Sequence, residues 1–335
     1  MTSIRDRTDL INDKALESLR DEMRLQDALD RRGWTSIHSH YFYDLRTKEW
    51  RELDAVAVRT WVGQLAGRTV RIKVVILVES KSLSEKHFLL PQYSLSKQAI
   101  VFDWLGATPR RSERFRIYED AGLARRIASV IDSEITGRSA CVMPDAPNIL
   151  LPPRDSVWHA SGVKEARNAA GSGNKYKEEI GSSVVWKARL ALQSAAQALA
   201  QDQADLDGKN LRLALQLVKL RLMAQEDKEK FNMKEEVSKE AGKFPFTITI
   251  FHPVIVADGD IWGVSENDVV PVAHGRVHLA GVSRYPYFWF DLVRREAADD
   301  VVSRAQKSYD DQAIERGLSG QDINLGVAEY TVAYP

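Results

Sequence analysis

Two apolar, β-branched runs lie close together near the N-terminus, and they constrain the fold more than any other feature. The first reads Glu-Leu-Asp-Ala-Val-Ala-Val-Arg-Thr-Trp from Glu52, and the second reads Arg-Ile-Lys-Val-Val-Ile-Leu-Val-Glu-Ser-Lys from Arg71 to Lys81. Between them, Gly63 to Arg68 is a glycine-bounded polar stretch that predicts a hairpin loop. In an antiparallel pair the start of one strand faces the end of the next, so Asp54 is expected beside Glu79. Glu79 and Lys81 are two residues apart and leave the same face of their strand. The sequence therefore predicts two carboxylates and one ammonium gathered at a sheet end.

Two close carboxylates repel, and burial raises the cost of each charge, so such a pair favours a cation between them. Hard divalent ions take oxygen ligands, and Mg²⁺ is commonly held by one or two carboxylates plus water and phosphate oxygens. A metal there lowers the pKa of bound water and offsets charge building on a phosphoryl group. Lys81 is placed to orient an attacking water or to stabilise the transition state. An ordinary ion-pair network at a sheet end is the alternative use of the same three residues.

On Asp54, Glu79 and Lys81 the chain resembles the PD-(D/E)xK nuclease superfamily, with Leu53 where that family often has proline. The resemblance implies an α/β fold with a restriction-endonuclease-like core: a mixed central β-sheet flanked by helices, with a large insertion after the catalytic strand. It also implies Asp54 and Glu79 as metal ligands for Mg²⁺ or Mn²⁺, and Lys81 as a catalytic lysine. Many members add a glutamate from the helix before the sheet. Glu22 and Glu17 are the candidates here, with Glu22 favoured because Leu25 and Leu29 follow it at i+3 and i+7. The implied activity is metal-dependent endonucleolytic hydrolysis of phosphodiester bonds, in DNA before RNA, with a restriction or defence setting by analogy. A non-catalytic binding or assembly module of the same fold is the alternative, and a hydrolase acting on a nucleotide would share the ligands.

The expected organisation follows the same core. Residues 1–81 form its N-terminal half, a helix from Ile11 to Arg32 ended by Gly33 and a three-stranded meander opening with Thr35 to Leu45. In that helix Leu16, Leu19, Met23, Leu25 and Leu29 form the apolar face; in the strand, Ile37, Tyr41 and Tyr43 share one parity. His38 and His40 share the other parity and read as structural, since no third ligand is at hand. Residues 82–170 form an insertion subdomain and linker, rich in proline and with a helix expected over Ala121 to Ile135. Tyr93 and Trp104 read as core packing before base stacking. Residues 171–335 supply the C-terminal half. There, helices are expected over Ser183 to Gln201 and Asn210 to Glu229, a buried central strand over Phe244 to Asp258, and edge strands over Arg276 to Leu279 and Tyr285 to Val293. A last helix is expected from Arg294. Lys187 and Gln193 are secondary candidates on the helix facing the site, where Gln197 stands in place of the tyrosine of a Gln-x-x-x-Tyr pair. His252, before Pro253, reads as structural. Gly171 to Lys175 lacks the phosphate-loop pattern and reads as a linker.

Charge narrows the partners. The chain has 335 residues, with 47 basic and 47 acidic side chains, so any contact with nucleic acid must come from local patches rather than overall charge. Arg110, Arg111, Arg114 and Arg116 form one candidate patch, and Lys164, Lys175, Lys177, Lys187 and Arg189 another. The single cysteine, Cys141, excludes an internal disulfide and a cysteine-based zinc site. No apolar run approaches membrane-spanning length and the N-terminus has no apolar signal core, so a cytoplasmic protein without a membrane partner is expected. The sequence is compatible with a homodimer or with an accessory protein.

Overall fold

The computed structural model of the chain describes residues 14–44, 46–65, 68–81, 86–92, 100–104, 115–117, 140–144, 158–167, 183–224, 232–241, 246–279 and 288–303. The architecture is α/β, with a mixed sheet carrying both parallel and antiparallel strands. It opens with α1 (Lys14–Arg31), followed by β1 (Thr35–Asp44), β2 (Glu49–Leu65) and β3 (Arg68–Lys81) as an antiparallel meander. Gly33 ends α1 at φ +75°, where the Trp34 N–H reaches back to the Leu29 carbonyl. Only glycine takes that backbone conformation without a Cβ penalty. β2 and β3 pair as far as Leu65 and Arg68, so the strands run through most of the expected loop.

The chain then builds β4 (Lys86–Pro91), β5 (Ile100–Trp104), β6 (Phe115–Ile117), β7 (Ala140–Pro144), β8 (Trp158–Ala160) and β9 (Lys164–Arg167). These strands pair widely with the rest of the molecule: β7 pairs with β10, β8 with β13, and β4 with β11. The helix expected over residues 121–135 lies outside the described residues, as do Tyr93, Gly171 to Lys175, and the arginines at 110, 111 and 114.

α2 (Val184–Ala224) is one helix of 41 residues, where two were expected. Residues 201–210 are polar but hold a single glycine and no proline, and Gly208 costs only about 1 kcal/mol in a helix. Gln201 Nε2 donates to Asp205 Oδ1 at 3.0 Å across the expected break, one of the i,i+4 contacts that help hold such a segment helical. At the other end, Ser183 accepts from the Trp186 N–H at 3.1 Å and Glu165 from the Val185 N–H at 3.0 Å, capping the first turn. α3 (Met233–Ala241) packs beside α2, with Arg221 on Glu240 at 2.8 Å.

α2 carries the chain over to β10 (Phe246–Ala257), which lies parallel to β3 along its full length, Phe246 facing Val70 and Ala257 facing Lys81. β10 is a central strand, as its continuous apolar run predicts. After it come β11 (Asp260–Val264), β12 (Val269–Pro271), β13 (His274–Leu279) and β14 (Phe288–Arg294). The main sheet runs β1-β2-β3-β10-β14-β13-β8, so β13 and β14 are interior strands and not the edges expected of them. A second sheet runs β12-β11-β4-β9. The expected last helix is a 3₁₀ turn, Arg295–Ala297, then helix over 298–303.

Helices cover both faces of the main sheet. On one face, Leu192, Ala195 and Leu199 of α2 pack with Val75, Leu77, Phe251 and Ile255. On the other, α1 and the 298–303 helix enclose an apolar space lined by Leu25, Ile76, Val78, Val254, Val301 and Val302. Leu25, Ala28 and Leu29 are buried on α1 among the described side chains, whereas Leu19 and Met23, expected on the same face, are exposed. Among the described residues, no helix is long and apolar enough to cross a membrane.

A candidate carboxylate–lysine site at the end of the parallel strands

Among the described residues, side-chain alternation in the meander is interrupted where Asp54 lies. Leu53 and Val56 are three apart, yet both lie in the core that α2 covers. In β1, Phe42 and Asp44 turn inward while Tyr41 and Tyr43, on one parity as expected, point to solvent. Ser39 supplies the shift, at φ +54°, a left-handed conformation uncommon outside glycine. Ser39 and Asp54 fall opposite each other but are skipped in the otherwise continuous β1–β2 pairing. Irregular positions of this kind re-aim side chains next to functional sites.

On its other side, Asp54 falls one step beyond the last β2–β3 pair, Ala55 with Val78, which places it opposite Glu79. Directly opposed residues on neighbouring strands have Cβ atoms about 5 Å apart. Lys81 Nζ lies 2.5 Å from Glu79 Oε2 and 3.8 Å from Asp54 Oδ2. Asp54 Oδ2 also accepts the Ser80 backbone N–H at 2.5 Å, which fixes its carboxylate against the end of β3. Asp54 Oδ1 and Glu79 Oε1 make no hydrogen bond or ion pair among the described residues. The trio therefore sits at the carboxyl end of the parallel β3–β10 pair, where open α/β sheets commonly bind ligands.

Burial differs across the trio. The Glu79 side chain is 5% exposed, that of Asp54 24% and that of Lys81 29%. Burial pushes the Glu79 carboxyl up to about 7, assisted by the Asp54 charge and opposed by Lys81 and Arg51. Lys81 is itself partly desolvated, which would lower it, but Glu79, Asp54 and Glu22 together hold it above its ordinary value. The two partners pull in opposite senses: Lys81 favours a charged pair, whereas Glu79 resists its own charge. Glu79 is the more deeply buried, so its upward displacement is the dominant effect. Such a carboxyl gains most from a second, divalent cation.

Glu22 borders the site. Its Oε2 lies 2.7 Å from His38 Nε2, and His38 Nδ1 lies 2.9 Å from Ser39 Oγ. A hydroxyl donating to Nδ1 leaves Nε2 as the protonated nitrogen, donating to Glu22. Through this contact His38 ties α1 to the interrupted position of β1, a link the sequence did not reveal. His40 is set apart from it: burial lowers its pKa. The Glu17 side chain lies outside the described residues. Lys187 is exposed, Gln193 is buried, and neither bonds to the trio among the described residues. The second basic patch also dissolves in part, because Arg189 is buried with its guanidinium 4.3 Å from the centre of the Trp186 ring.

Two carboxylate clusters escaped the sequence reading. Asp44 is fully buried, and the N–H groups of Arg46 and Thr47, the Ser194 hydroxyl and the Arg46 charge outweigh burial and lower its pKa. Asp291 is also fully buried; Arg276 binds it through Nε and a terminal nitrogen, both at 2.7 Å, and His252 Nε2 lies 2.8 Å away. Burial opposes its charge, but Arg276, His274 and His252 hold it well below the carboxylate range. Both clusters are closed by their own partners, unlike the trio.

No protein-family model matches the chain, and no curated protein or solved structure matches it significantly. The site's chemistry therefore rests on its own atoms. Among the described residues, no group of three or more His, Cys, Asp or Glu side chains gathers as a metal cage. The donor set is two carboxylates, each with one oxygen unengaged by described residues, and this suits an ion that keeps water and phosphate ligands.

Proposed function

We propose that the chain is a metal-dependent phosphodiesterase of the restriction-endonuclease-like class, acting on nucleic acid at Asp54, Glu79 and Lys81. One observation carries the reading: the β2–β3 register sets Asp54 opposite Glu79 with the Lys81 ammonium against both. Helix, three-stranded meander, crossover helix and a strand parallel to β3 is also the order such a core uses. Asp54 and Glu79 would hold Mg²⁺ or Mn²⁺, which when bound supplies charge neutralisation at phosphate and an acidified water. The Ser80 N–H keeps Asp54 oriented. Lys81 positions the attacking water and meets charge on the phosphoryl oxygens. Glu22, held by His38, adds negative charge at the border, a smaller contribution to Lys81 than those of Glu79 and Asp54.

Plasmid and oligonucleotide cleavage with Mg²⁺ or Mn²⁺ tests the proposal, wild type beside Glu79→Ala and Lys81→Ala. Cleavage by wild type and a loss of at least about a hundredfold in each variant is the expected result; equal cleavage by all three ends it. The 2.5 Å Lys81–Glu79 contact favours a second reading, in which the trio is a neutralised ion-pair network in a binding or assembly module. In that case titration calorimetry detects no Mn²⁺ uptake that depends on Glu79.

A further inference from the structure

Leucine recurs every seven residues along α2, at positions 192, 199, 206, 213 and 220. A heptad repeat of this length gives a helix one continuous apolar seam. Its two parts meet different surroundings. Leu192 and Leu199 are buried in the core that α2 forms with the main sheet. Leu206 is half-buried; beyond it Leu213 is 46% exposed and Leu220 63%, with Met223 at 78%. The neighbouring side of the helix is occupied, since Ala214 and Val218 are buried and Arg221, one turn on, meets Glu240 of α3 at 2.8 Å. The seam thus outruns the sheet that covers its first half. Aligned leucines left bare on a soluble helix mark a surface suited to another helix.

Charge and space both favour a second copy of this chain, running in the opposite direction. Asp202, Asp205 and Asp207 come first, with no base among residues 201–208; Lys209, Arg212, Lys219 and Arg221 follow, with no acid among residues 208–224. Laid antiparallel, two such segments set the acidic part of each beside the basic end of the other. Laid parallel and in register, they would set acid beside acid and base beside base. Arg212 and Lys219 are exposed and form no ion pair within the protomer among the described residues. Space agrees with charge. A parallel partner would bring a second sheet to the end of the seam already covered by the first, at Leu192 and Leu199, whereas an antiparallel partner carries its sheet to the far end. A twofold pair also needs one self-complementary strip, and the strip from Leu206 to Leu220 is centred on Leu213.

We propose that residues 206–224 of α2 form a homodimer interface, in which two copies pack antiparallel about a twofold axis close to Leu213. Leu206, Leu213, Leu217 and Leu220 supply its apolar centre, and the charges along its length set the direction. The free seam from Leu206 to Met223 is about 26 Å long. One helix on one helix lies at the small end of specific interfaces, so association at micromolar concentrations is expected. The interface stands whether or not the chain cleaves nucleic acid.

Sedimentation equilibrium of the full chain, over about 1 to 100 μM, measures the association directly. Wild type is expected to pass from monomer to dimer across that range. Leu213→Glu should weaken the dimer at least about a hundredfold, because the twofold axis loses two leucines and gains two facing charges at once. Its circular dichroism should match wild type, since Leu213 is exposed in the protomer. Leu220→Glu, tested separately, should act in the same direction. Orientation is read by double electron–electron resonance from a spin label at Met223→Cys, with Cys141→Ser to leave a single thiol. Antiparallel packing about Leu213 puts the two labels about 25–30 Å apart, twice the rise from residue 213 to 223. Parallel packing would put them about 10–15 Å apart, near the interaxial distance. A wild type that stays monomeric throughout, whether because another part of the chain covers the seam or because nothing does, overturns the proposal. So does a dimer indifferent to both glutamate variants, or the short label distance.

Discussion

Replacing Glu79 by glutamine is expected to stabilise the protein while removing the proposed activity, and the gain depends on pH. A carboxyl raised by burial from its ordinary 4.5 to about 7 carries, once ionised, a cost of about 3 kcal/mol relative to the unfolded chain. The sign follows from proton uptake. Between those two values the native state holds a proton that the unfolded state has released. Stability is therefore full below about 4.5, falls by up to about 1.4 kcal/mol per pH unit, and reaches its lower level above about 7. Glutamine keeps the shape and cannot ionise, although it gives up the 2.5 Å contact with Lys81. Lys81 retains Asp54 at 3.8 Å, which limits that loss. Urea denaturation at pH 5.5 and 8.5 reads the difference, provided the m-value is unchanged. The variant should gain about 1–3 kcal/mol on wild type in going from the lower to the higher pH. A difference that stays flat with pH, or a wild type that gains on the variant at pH 8.5, would refute the claim that burial governs Glu79.

Other expectations concern the frame that holds the site. Asp291→Asn leaves the buried Arg276 without its anionic partner and should cost about 3–5 kcal/mol by urea denaturation. In wild type, the depressed pKa of Asp291 gives stability that is present above the ordinary carboxylate range and lost as pH falls through the folded value, so acid unfolding should begin earlier in weakened variants of this cluster. Gly263→Ala would set a methyl 2.5 Å from the Trp158 ring, which its own Nε1–H pins to the Leu90 carbonyl at 3.0 Å; a loss of about 1–3 kcal/mol is expected. Lys48→Gly relieves a lysine at φ +58° in the exposed β1–β2 turn and should raise stability by about 1 kcal/mol. Lower thermal stability in that variant would show that this turn is unstrained.

Which parts of the molecule could be read from the sequence follows from the range of the interactions that decide them. The β2–β3 hairpin was legible because a short loop fixes register, and register alone sets Asp54 opposite Glu79. β10 was legible because a strand buried on both faces must be apolar throughout. The orientation of β1 was not, since one left-handed serine reverses which side faces the core, and nothing in a period-2 pattern marks Ser39. The Arg276–Asp291 pair joins strands whose pairing is decided by β10 and β8, so neither residue signals its burial locally. α2 is one helix where two are expected, because its polar stretch 201–210 holds no proline and Ala214 and Val218 beyond it are again buried, so the helix continues through the expected break. Glu22 was selected by its border position on α1, but its partner His38 became visible only once β1 lay against the helix.

Asp54 and Glu79 are proposed to share one divalent cation beside Lys81. Titration calorimetry with Mn²⁺ at pH 6 and pH 8 tests it without any assumption about substrate. One site is predicted in wild type, tighter at pH 8 because Glu79 must first lose its proton, and absent from Asp54→Asn and Glu79→Gln. Uptake that is the same in wild type and both variants, or no uptake by wild type at either pH, would contradict it.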